Sequence, residues 1–399
     1  MTRRIGVVSV ARSDYGIYRP LLKRLAEAPG VDLALIAAGM HLMPEFGSTI
    51  GEIESDGFTP AAKVDLDLHG DTPLAVARAM GTGTRRFAEA YERLGLDVLC
   101  VLGDRFEMHA AAAAAVPFLL PLAHIAGGSL TRGAIDDSLR HSITKLSSLH
   151  FVETETHAAR VRQMGEERWR VHLTGALNLD NIAELPVMPL AEMNRRFGLS
   201  LDRAAPPLLV TFHPVTRDFA ATRRHAEDLL AALAAAQQPV VFTYPNADTG
   251  GRVIIDLIDG FVREHPSARA VPNLGVAGYF SLMRHARAMV GNSSSGLIEA
   301  AAFRLPVAHV GERQDGRLAP ANVIHVSCSK DAILAGIRRA ASTAFRDSIA
   351  GLINPYGDGR AAERIMAALD ATDLKDPRLI RKDFIAVALS SGCAVMEPA

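Results

Sequence analysis

The stretch VLGDRFEMHAAAAAA, residues 101–115, contains the turn that decides the fold. An apolar run ends on Gly103, Asp104 and Arg105, and the chain then becomes almost pure alanine. A buried strand followed by a turn and a helix is the repeating unit of a parallel sheet covered by helices. The adjacent acid and base fit two alternatives. One is a helix start with a salt bridge, and the other is a catalytic carboxylate beside a phosphate clamp.

The same alternation of short apolar runs and amphipathic segments extends along the chain. Strand candidates of the first half are IGVVSV, VDLALIAAG, DVLCVLG, PLAHIAGG and LHFVET. After a proline-rich stretch at 181–207 the pattern restarts with PPLLVTFHP, QPVVFTYP, ARAVPNLG, ARAMVGNSSSG, LPVAHVG and NVIHVS. The alternation predicts an α/β protein with two Rossmann-like domains facing a cleft, lined by the carboxyl ends of the strands.

We place the N-terminal domain at residues 1–185 and the C-terminal domain at 186–375. The tail, 376–399, is expected to pack back on the N-terminal domain. The cleft between the two domains is where a ligand is expected to bind.

Composition narrows the class of protein. The 399 residues are 49% hydrophobic and 22% charged, with a net charge of −1, so neither a nucleic-acid nor a membrane partner is indicated. Cys100, Cys328 and Cys393 are too scattered for a disulfide framework or a zinc site, and we predict no metal. The first apolar run is too short for a signal peptide, and no run reaches the length of a membrane span. A cytoplasmic protein is expected.

GNSSSGLIEAAAF, residues 291–303, is a candidate anion site. Ser293, Ser294 or Ser295 can cap the helix that follows, and the free N–H groups of a helix start suit a phosphate. Glu299 follows on the side where a ribose would lie. The structural alternatives are plain capping for the serines and dipole compensation for Glu299.

Other polar residues follow strands in the same way. Arg313 and Arg317 of GERQDGR can reach one anion, or they belong to a solvated loop. Arg12 stands in the first strand-to-helix turn, and His213 ends the first strand of the second half. Neither a Gly-x-Gly-x-x-Gly nor a Walker A motif occurs, so a nicotinamide cofactor is not indicated.

The segment HIAGGSLTRGAIDDSLRHSITKLSSLHF, residues 124–151, carries two glycines after a strand and a pair of acids. We expect Asp136 or Asp137 to cap a helix. We also expect Asp136 to pair with Arg140 one turn later.

Taken together, these stretches resemble one family, the hydrolysing UDP-N-acetylglucosamine 2-epimerases, which include bacterial enzymes of sialic and legionaminic acid synthesis. The resemblance runs from about residue 4 to about residue 360. It rests on ARSDYGIYRPLLKRL, AAGMHL, VLGDRFEMHAAA, GGSLTRGAIDDSLRHSITKLSSLHF, TFHPVTRD, PNADTGG, GNSSSGLIEAAAFRLPV, GERQDGR and NPYGDG.

The resemblance implies the two-domain arrangement of the B-type glycosyltransferases, a UDP-sugar substrate, a UDP product and no cofactor. It implies a homodimer or a homotetramer. It also assigns roles to residues. Asp104 and Asp136 are implied to act near the sugar. The candidate catalytic residues are Asp104, Asp136, Asp137, His213 and Ser129. UDP contacts are implied for Arg12, Arg105, His213, Ser293, Ser294, Glu299 and Arg313, beside which Arg317 is a further candidate.

The implied reaction releases UDP and the free 2-epimer of a UDP-2-acetamido sugar through a 2-acetamidoglycal. The substrate is UDP-N-acetylglucosamine or its 2,4-diacetamido-2,4,6-trideoxy analogue, for nonulosonic acid synthesis. The family usually has Glu after the double glycine, where this chain has Ser129. A serine hydroxyl is no simple base at neutral pH, so Asp136 or Asp137 is a candidate to carry the proton instead.

Three alternatives stay open at this point. The first is UDP-sugar hydrolysis without inversion at C2, which the loss of the Glu motivates. The second is a glycosyltransferase on the same fold. The third is a nucleotide-sugar sensor without catalysis, which the presence of Asp104 and Asp136 opposes.

Overall fold

A computed structural model describes residues 2–43, 49–70, 72–132, 135–215, 220–245 and 251–386. Parts of the sequence motifs at 211–218 and 245–251 lie outside these ranges, as does the chain beyond 386. Within the described residues, the two predicted parallel sheets are present and helices separate nearly all of their strands, so the predicted α/β class with two Rossmann-like sheets is confirmed.

Seven parallel strands form the first sheet, in the order β3-β2-β1-β4-β5-β6-β7. They are β1 Arg3–Ser9, β2 Val31–Ala38, β3 Ala62–Val64, β4 Val98–Leu102, β5 Leu122–Ile125, β6 Leu149–Val152 and β7 Val171–Leu173. The helices of this part are α1 Arg12–Glu27, α2 Ile50–Ser55, α3 Pro73–Leu94, α4 Phe106–Ala115, α5 Asp136–Leu146, α6 Glu155–Gln163 and α7 Asp180–Glu184.

Six parallel strands form the second sheet, in the order β10-β9-β8-β11-β12-β13. They are β8 Leu208–Thr211, β9 Val240–Thr243, β10 Ala268–Val271, β11 Ala288–Gly291, β12 Val307–Val310 and β13 Val323–Val326. The remaining helices are α8 Leu190–Phe197, α9 Thr222–Ala236, α10 Gly251–Glu264, α11 Gly275–His285, α12 Ser295–Ile298, α13 Lys330–Ala340, α14 Thr343–Ser348 and α15 Ala361–Ala371.

The alanine helix α4 lets its neighbours approach closely. All five residues of β4 are buried, as expected for a parallel strand covered on both faces. The small side chains of α4 then pack against α3, where a Cβ added at Gly83 would lie 3.3 Å from the Cβ of Ala110. Tyr91 of α3 also donates a hydrogen bond to the Ala111 carbonyl oxygen at 3.0 Å. Tight packing of α4 against α3 helps to hold the turn at 103–105 in place.

The last helix returns to the first sheet. Both carboxylate oxygens of Asp180 accept backbone N–H groups at the start of α15, from Ala361 at 2.8 Å and Ala362 at 2.7 Å. Ile365 and Leu369 of α15 are buried in the core of the first sheet. Residues 361–371, which the sequence places in the C-terminal domain, therefore pack against α1 and the first core.

The described part of the tail also contacts the first sheet's layer of helices and loops. Arg170 donates to the Arg378 carbonyl oxygen at 2.5 Å, and the Ile385 N–H donates to the Gly165 carbonyl oxygen at 3.0 Å. Lys382 reaches Glu166 at 2.8 Å. These contacts tie residues 378–385 to the segment before β7.

Glu166 is the centre of a buried charge cluster that includes the tail. Its carboxylate contacts Lys145 at 2.5 Å, Lys382 at 2.8 Å and His150 at 3.0 Å. Burial opposes ionisation of Glu166, but hydrogen bonds from these three side chains lower its pKa to about 2.

Among the described residues, no helix is both long enough and apolar enough to span a membrane.

We predict that Glu166→Gln lowers the free energy of unfolding at pH 7 by about 3 kcal/mol. Because the pKa of Glu166 is depressed in the folded protein, its stabilisation is present above the unfolded pKa of about 4.3 and is lost as the pH falls towards 2. Urea unfolding followed by fluorescence of Trp169, the single tryptophan, measures the difference at pH 7 and pH 3.5. The exposed Glu92→Gln is the control. If the difference in unfolding free energy between wild type and Glu166→Gln does not shrink at pH 3.5, the depressed pKa of Glu166 is contradicted.

Candidate functional site

The predicted site residues gather where strands of both sheets end. In the first sheet, β1 and β4 are neighbours, and the chain leaves them towards opposite sides of the sheet order. Open parallel sheets bind ligands in the crevice at such a switch point. Asp104 and Arg105 follow β4 there. Arg12 lies exposed at the start of α1, and within the described ranges no hydrogen bond or ion pair joins it to the other predicted residues.

Arg140 contacts two of the acids at this edge of the first sheet, Asp104 and Asp137. Its side chain is buried, with 2% exposure, and it forms an ion pair with Asp104 through Nη2. The same guanidinium donates to Thr131 Oγ1 and to the Ser129 carbonyl oxygen, each at 2.9 Å. Burial, and then the charge of Arg317, lower the pKa of Arg140 to about 9, so it remains cationic at pH 7. Arg140 thus connects the end of β4 with the loop after β5.

The acids at the start of α5 differ from expectation. Arg140 pairs with Asp137 at 3.5 Å and with Asp104, rather than with Asp136 as predicted. Neither acid caps the helix, because the residue at the cap position is Ile135 and it makes no side-chain cap bond. Asp137 Oδ1 instead accepts the Thr131 N–H at 2.6 Å. The carboxylate expected to cap α5 is therefore bonded to the loop after β5.

The charge of Asp136 acts on Arg105 and raises the pKa of that arginine. Arg105 also contacts the buried Glu107, with Nη2 3.3 Å from Oε1. Burial opposes the ionisation of Arg105, but the charges of Glu107 and Asp14 raise the pKa of Arg105 above its ordinary value. Burial raises the pKa of Asp14 to about 6, against the lowering effect of Arg105. Arg105 is therefore a cation held among carboxylates.

Ser129 is fixed in place through its backbone. A Cβ added at Gly128 would lie 2.6 Å from the His157 carbonyl oxygen, so the loop runs directly against α6 and requires glycine there. Ser129 is buried and its carbonyl oxygen accepts from Arg140.

The matching edge of the second sheet is joined by a buried asparagine. Asn292 Oδ1 accepts the His213 N–H at 2.7 Å, and its amide donates to the His213 carbonyl oxygen at 2.8 Å. Burial, and then the charge of Arg313, lower the pKa of His213 to about 3, so the imidazole is neutral at pH 7. Gly291 has a positive φ, and a Cβ added there would lie 2.0 Å from the Thr211 carbonyl oxygen. The backbones of β11 and β8 therefore end side by side.

The serine loop has a denser network than the sequence predicts. Ser293 Oγ lies 2.9 Å from Ser295 Oγ, which lies 2.7 Å from the Tyr279 hydroxyl. The α-helix that follows, α12, has only four residues, and residues 300–303 continue as a 3₁₀ helix. Ser294 occupies the cap position without a side-chain cap bond, but Ser293 Oγ accepts the Ser295 N–H at the start of α12, at 3.4 Å. Arg313 lies over this loop and donates to the Asn292 carbonyl oxygen at 3.4 Å.

Arg317 connects the two edges. Its Nη2 lies 3.4 Å from Thr131 Oγ1, the hydroxyl that also binds Arg140. Beside it, the Arg132 N–H donates to the Asp315 carbonyl oxygen at 3.4 Å. The loop after β12 therefore touches the loop after β5.

Glu299 lies close to this junction. Its Oε1 accepts from Asn178 at 2.6 Å, and burial raises its pKa against the lowering effect of that hydrogen bond. The charges of Glu153 and Arg317 also act on it. Glu299 thus belongs to the junction of the two sheets as well as to the serine loop.

Several residues at this site were missed by sequence reasoning. Asn292 was read only as part of a serine loop, and Glu107 as part of a helix. Glu153 received no role, although an acid directly after the buried strand LHFV is the same signal that selected Asp104. Within the described residues no three His, Cys, Asp or Glu side chains are grouped to hold a metal ion.

A family model described as UDP-N-acetylglucosamine 2-epimerase matches residues 23–370. The chain is 36% identical, over 94% of its length and 97% of the relative, to UDP-N,N'-diacetylbacillosamine 2-epimerase (hydrolyzing) of Legionella pneumophila. It is also 36% identical to GDP/UDP-N,N'-diacetylbacillosamine 2-epimerase (hydrolyzing) of Campylobacter jejuni, over 81% of this chain and 84% of that protein.

A solved structure shares the fold. The crystal structure of UDP-GlcNAc 2-epimerase from Neisseria meningitidis bound to UDP-GlcNAc superposes with a TM-score of 0.78 at 18% identity, covering 92% of this chain and all of that one. The family model spans most of the chain, and the Legionella relative matches nearly all of it. The chain therefore belongs to the UDP-N-acetylglucosamine 2-epimerase family of enzymes.

Proposed function

We propose that this protein hydrolyses a UDP-linked 2-acetamido sugar and inverts its C2 centre, releasing UDP and the free manno-configured sugar. The observation that carries the proposal is the contact of Arg317 with Thr131. It brings a loop rich in phosphate-binding residue types against the acids organised by Arg140. A leaving diphosphate and a reacting sugar need these two environments side by side.

The UDP half of the proposed site is formed by the second sheet with two arginines of the first. We assign UDP contacts to Arg12, Arg105, His213, Ser293, Ser294, Glu299, Arg313 and Arg317. The neutral His213 imidazole offers hydrogen bonds rather than charge. The guanidinium groups provide the positive charge that stabilises a departing diphosphate.

The sugar half lies at the edge of the first sheet. The C2 proton of the sugar is barely acidic until the C1–O bond to UDP begins to break, because oxocarbenium character at C1 acidifies the neighbouring C–H. Removal of that proton gives the 2-acetamidoglycal and UDP. Water then adds its hydroxyl to C1, and a proton arrives at the opposite face of C2. Asp104, Asp136 and Asp137 are the proposed acid and base candidates from the sequence.

The 2,4-diacetamido-2,4,6-trideoxy sugar is the substrate we favour, since both relatives described above carry diacetylbacillosamine in their names. UDP-N-acetylglucosamine is the alternative. The product of either reaction is a free 2-acetamido mannose derivative, which suits nonulosonic acid synthesis. Ser129 favours a second candidate function, hydrolysis without inversion, because its hydroxyl is not a base.

In deuterated water, the diacetamido-trideoxy UDP-sugar should yield UDP and a manno-configured free sugar with deuterium at C2, followed by NMR. UDP-N-acetylglucosamine run in parallel ranks the two substrates. A gluco-configured product without deuterium would support direct hydrolysis and contradict inversion. Absence of UDP release from both substrates would contradict the proposed function altogether.

Asp104→Asn should reduce kcat about 100-fold or more, because it removes a proposed acid or base while keeping the side chain's size. UDP affinity, measured by calorimetry, should change less than about threefold. The exposed Asp347→Asn in α14 is the matched control. If Asp104→Asn keeps wild-type turnover, Asp104 has no part in the proton transfers.

Arg313→Ala should weaken UDP binding about tenfold, the loss expected for one charge-assisted contact to a phosphate. Calorimetric titration with UDP alone gives this value without turnover. Arg338→Ala, an exposed arginine on α13, controls for loss of positive charge. Equal affinities of wild type and Arg313→Ala would remove Arg313 from the UDP site.

A further inference from the structure

Glu153 is a carboxylate at the junction of the two sheets to which no role has been assigned. It follows β6, whose Phe151 pairs with Ile125 of β5. The Ala126 N–H donates to the Phe151 carbonyl oxygen at 3.0 Å, so the two strands remain side by side up to their ends. Glu153 and Ser129 therefore arise from adjacent strand ends on the same edge of the sheet.

The surroundings of Glu153 leave its carboxylate without a charged partner at contact distance. The side chain is 12% exposed, and among the described residues its only ion-pair neighbour is His157, with Oε2 3.5 Å from Nδ1. Burial, and then the charges of Arg160, Arg140 and Arg317, lower the pKa of His157 to about 3. The imidazole is therefore neutral at pH 7 and provides no compensating charge.

More distant charges act on Glu153 from both sheets. Burial raises its pKa, while the charges of Arg317 and Arg140 lower it. Glu299 and Tyr356 lie within electrostatic range as well. The net pKa lies above the ordinary value of a glutamate, which makes Glu153 a stronger base than an exposed one.

Two other carboxylates on this edge, Asp104 and Asp137, are engaged more tightly. Asp104 is in an ion pair with Arg140, and Asp137 accepts from both Arg140 and the Thr131 N–H. Ser129, on the neighbouring strand end, contributes a hydroxyl only.

We propose that Glu153, at the strand end adjacent to the one that leads to Ser129, is the catalytic base that takes the C2 proton of the substrate. This role rests on the proposed function. The proton passes to a Glu153 oxygen, the C2–H electron pair forms the C1=C2 bond, and the C1–O bond breaks with its electron pair leaving on UDP. Water later adds hydroxyl to C1 and a proton is delivered to the opposite face of C2. Glu153 then returns its proton to solvent.

The test compares Glu153→Gln with wild type in the deuterated-water assay, using the UDP-sugar that wild type converts. We expect C2 deuteration and UDP release to fall about 100-fold or more, with UDP affinity within about threefold and an unchanged melting temperature. Glu155→Gln, an exposed glutamate two residues away, is the control and should behave as wild type. Turnover of Glu153→Gln within threefold of wild type overturns the inference, as does an equal loss of UDP binding.

A second measurement does not depend on the folding of that variant. Because a base must be deprotonated to act, kcat/KM of wild type should decline as the pH falls through the Glu153 pKa. Ser129→Glu places a like charge at the adjacent strand end, and this should shift the declining limb upward by about one pH unit. An unshifted limb overturns the inference. Wild type inactive with both UDP-sugars would instead overturn the proposed function, and this inference with it.

Discussion

The buried guanidinium of Arg140 is the constraint on which the candidate site depends. A charge removed from water is tolerated only when partners replace its hydration, and here the partners come from three segments of the chain. Asp104 follows β4, Thr131 and the Ser129 carbonyl belong to the loop after β5, and Asp137 lies on α5. The position of the acids is therefore set by one cation rather than by each turn separately.

Asn292 plays the corresponding part in the second sheet, with neutral groups instead of charges. Its amide satisfies both the N–H and the carbonyl of His213, which fixes the end of β8 against the serine loop after β11. Because these contacts are buried, loss of either partner would leave an unsatisfied polar group. Arg313 contacts this loop at the Asn292 carbonyl oxygen, and Arg317 extends to Thr131 on the other edge.

The distribution of charge fits the proposed reaction, in which negative charge builds on a leaving group while a carbon acid loses its proton. Cations stand on both sides of the junction, and they lower the pKa of neighbouring acids while burial raises it. The acids consequently differ in their surroundings. Asp14 has a pKa of about 6, Asp104 is ion-paired, and Glu153 is buried without a cation at contact distance. Two proton transfers on opposite faces of one carbon need such unequal groups.

The sequence by itself determined the alternation of strands and helices, the two parallel sheets and the rule that functional residues follow strand ends. These depend on local hydrophobic periodicity and on turn residues, so they can be read without a structure. Asp104, His213, Ser293 and Arg313 were placed after strand ends in this way, and their proposed roles came from the family resemblance. Only the tertiary structure decided which acid Arg140 pairs with, that Glu153 and Ser129 follow adjacent strands, and that α15 packs on the first core. Each depends on distances between residues far apart in the chain and on burial, which sets both the pKa of a carboxylate and the choice of its partner.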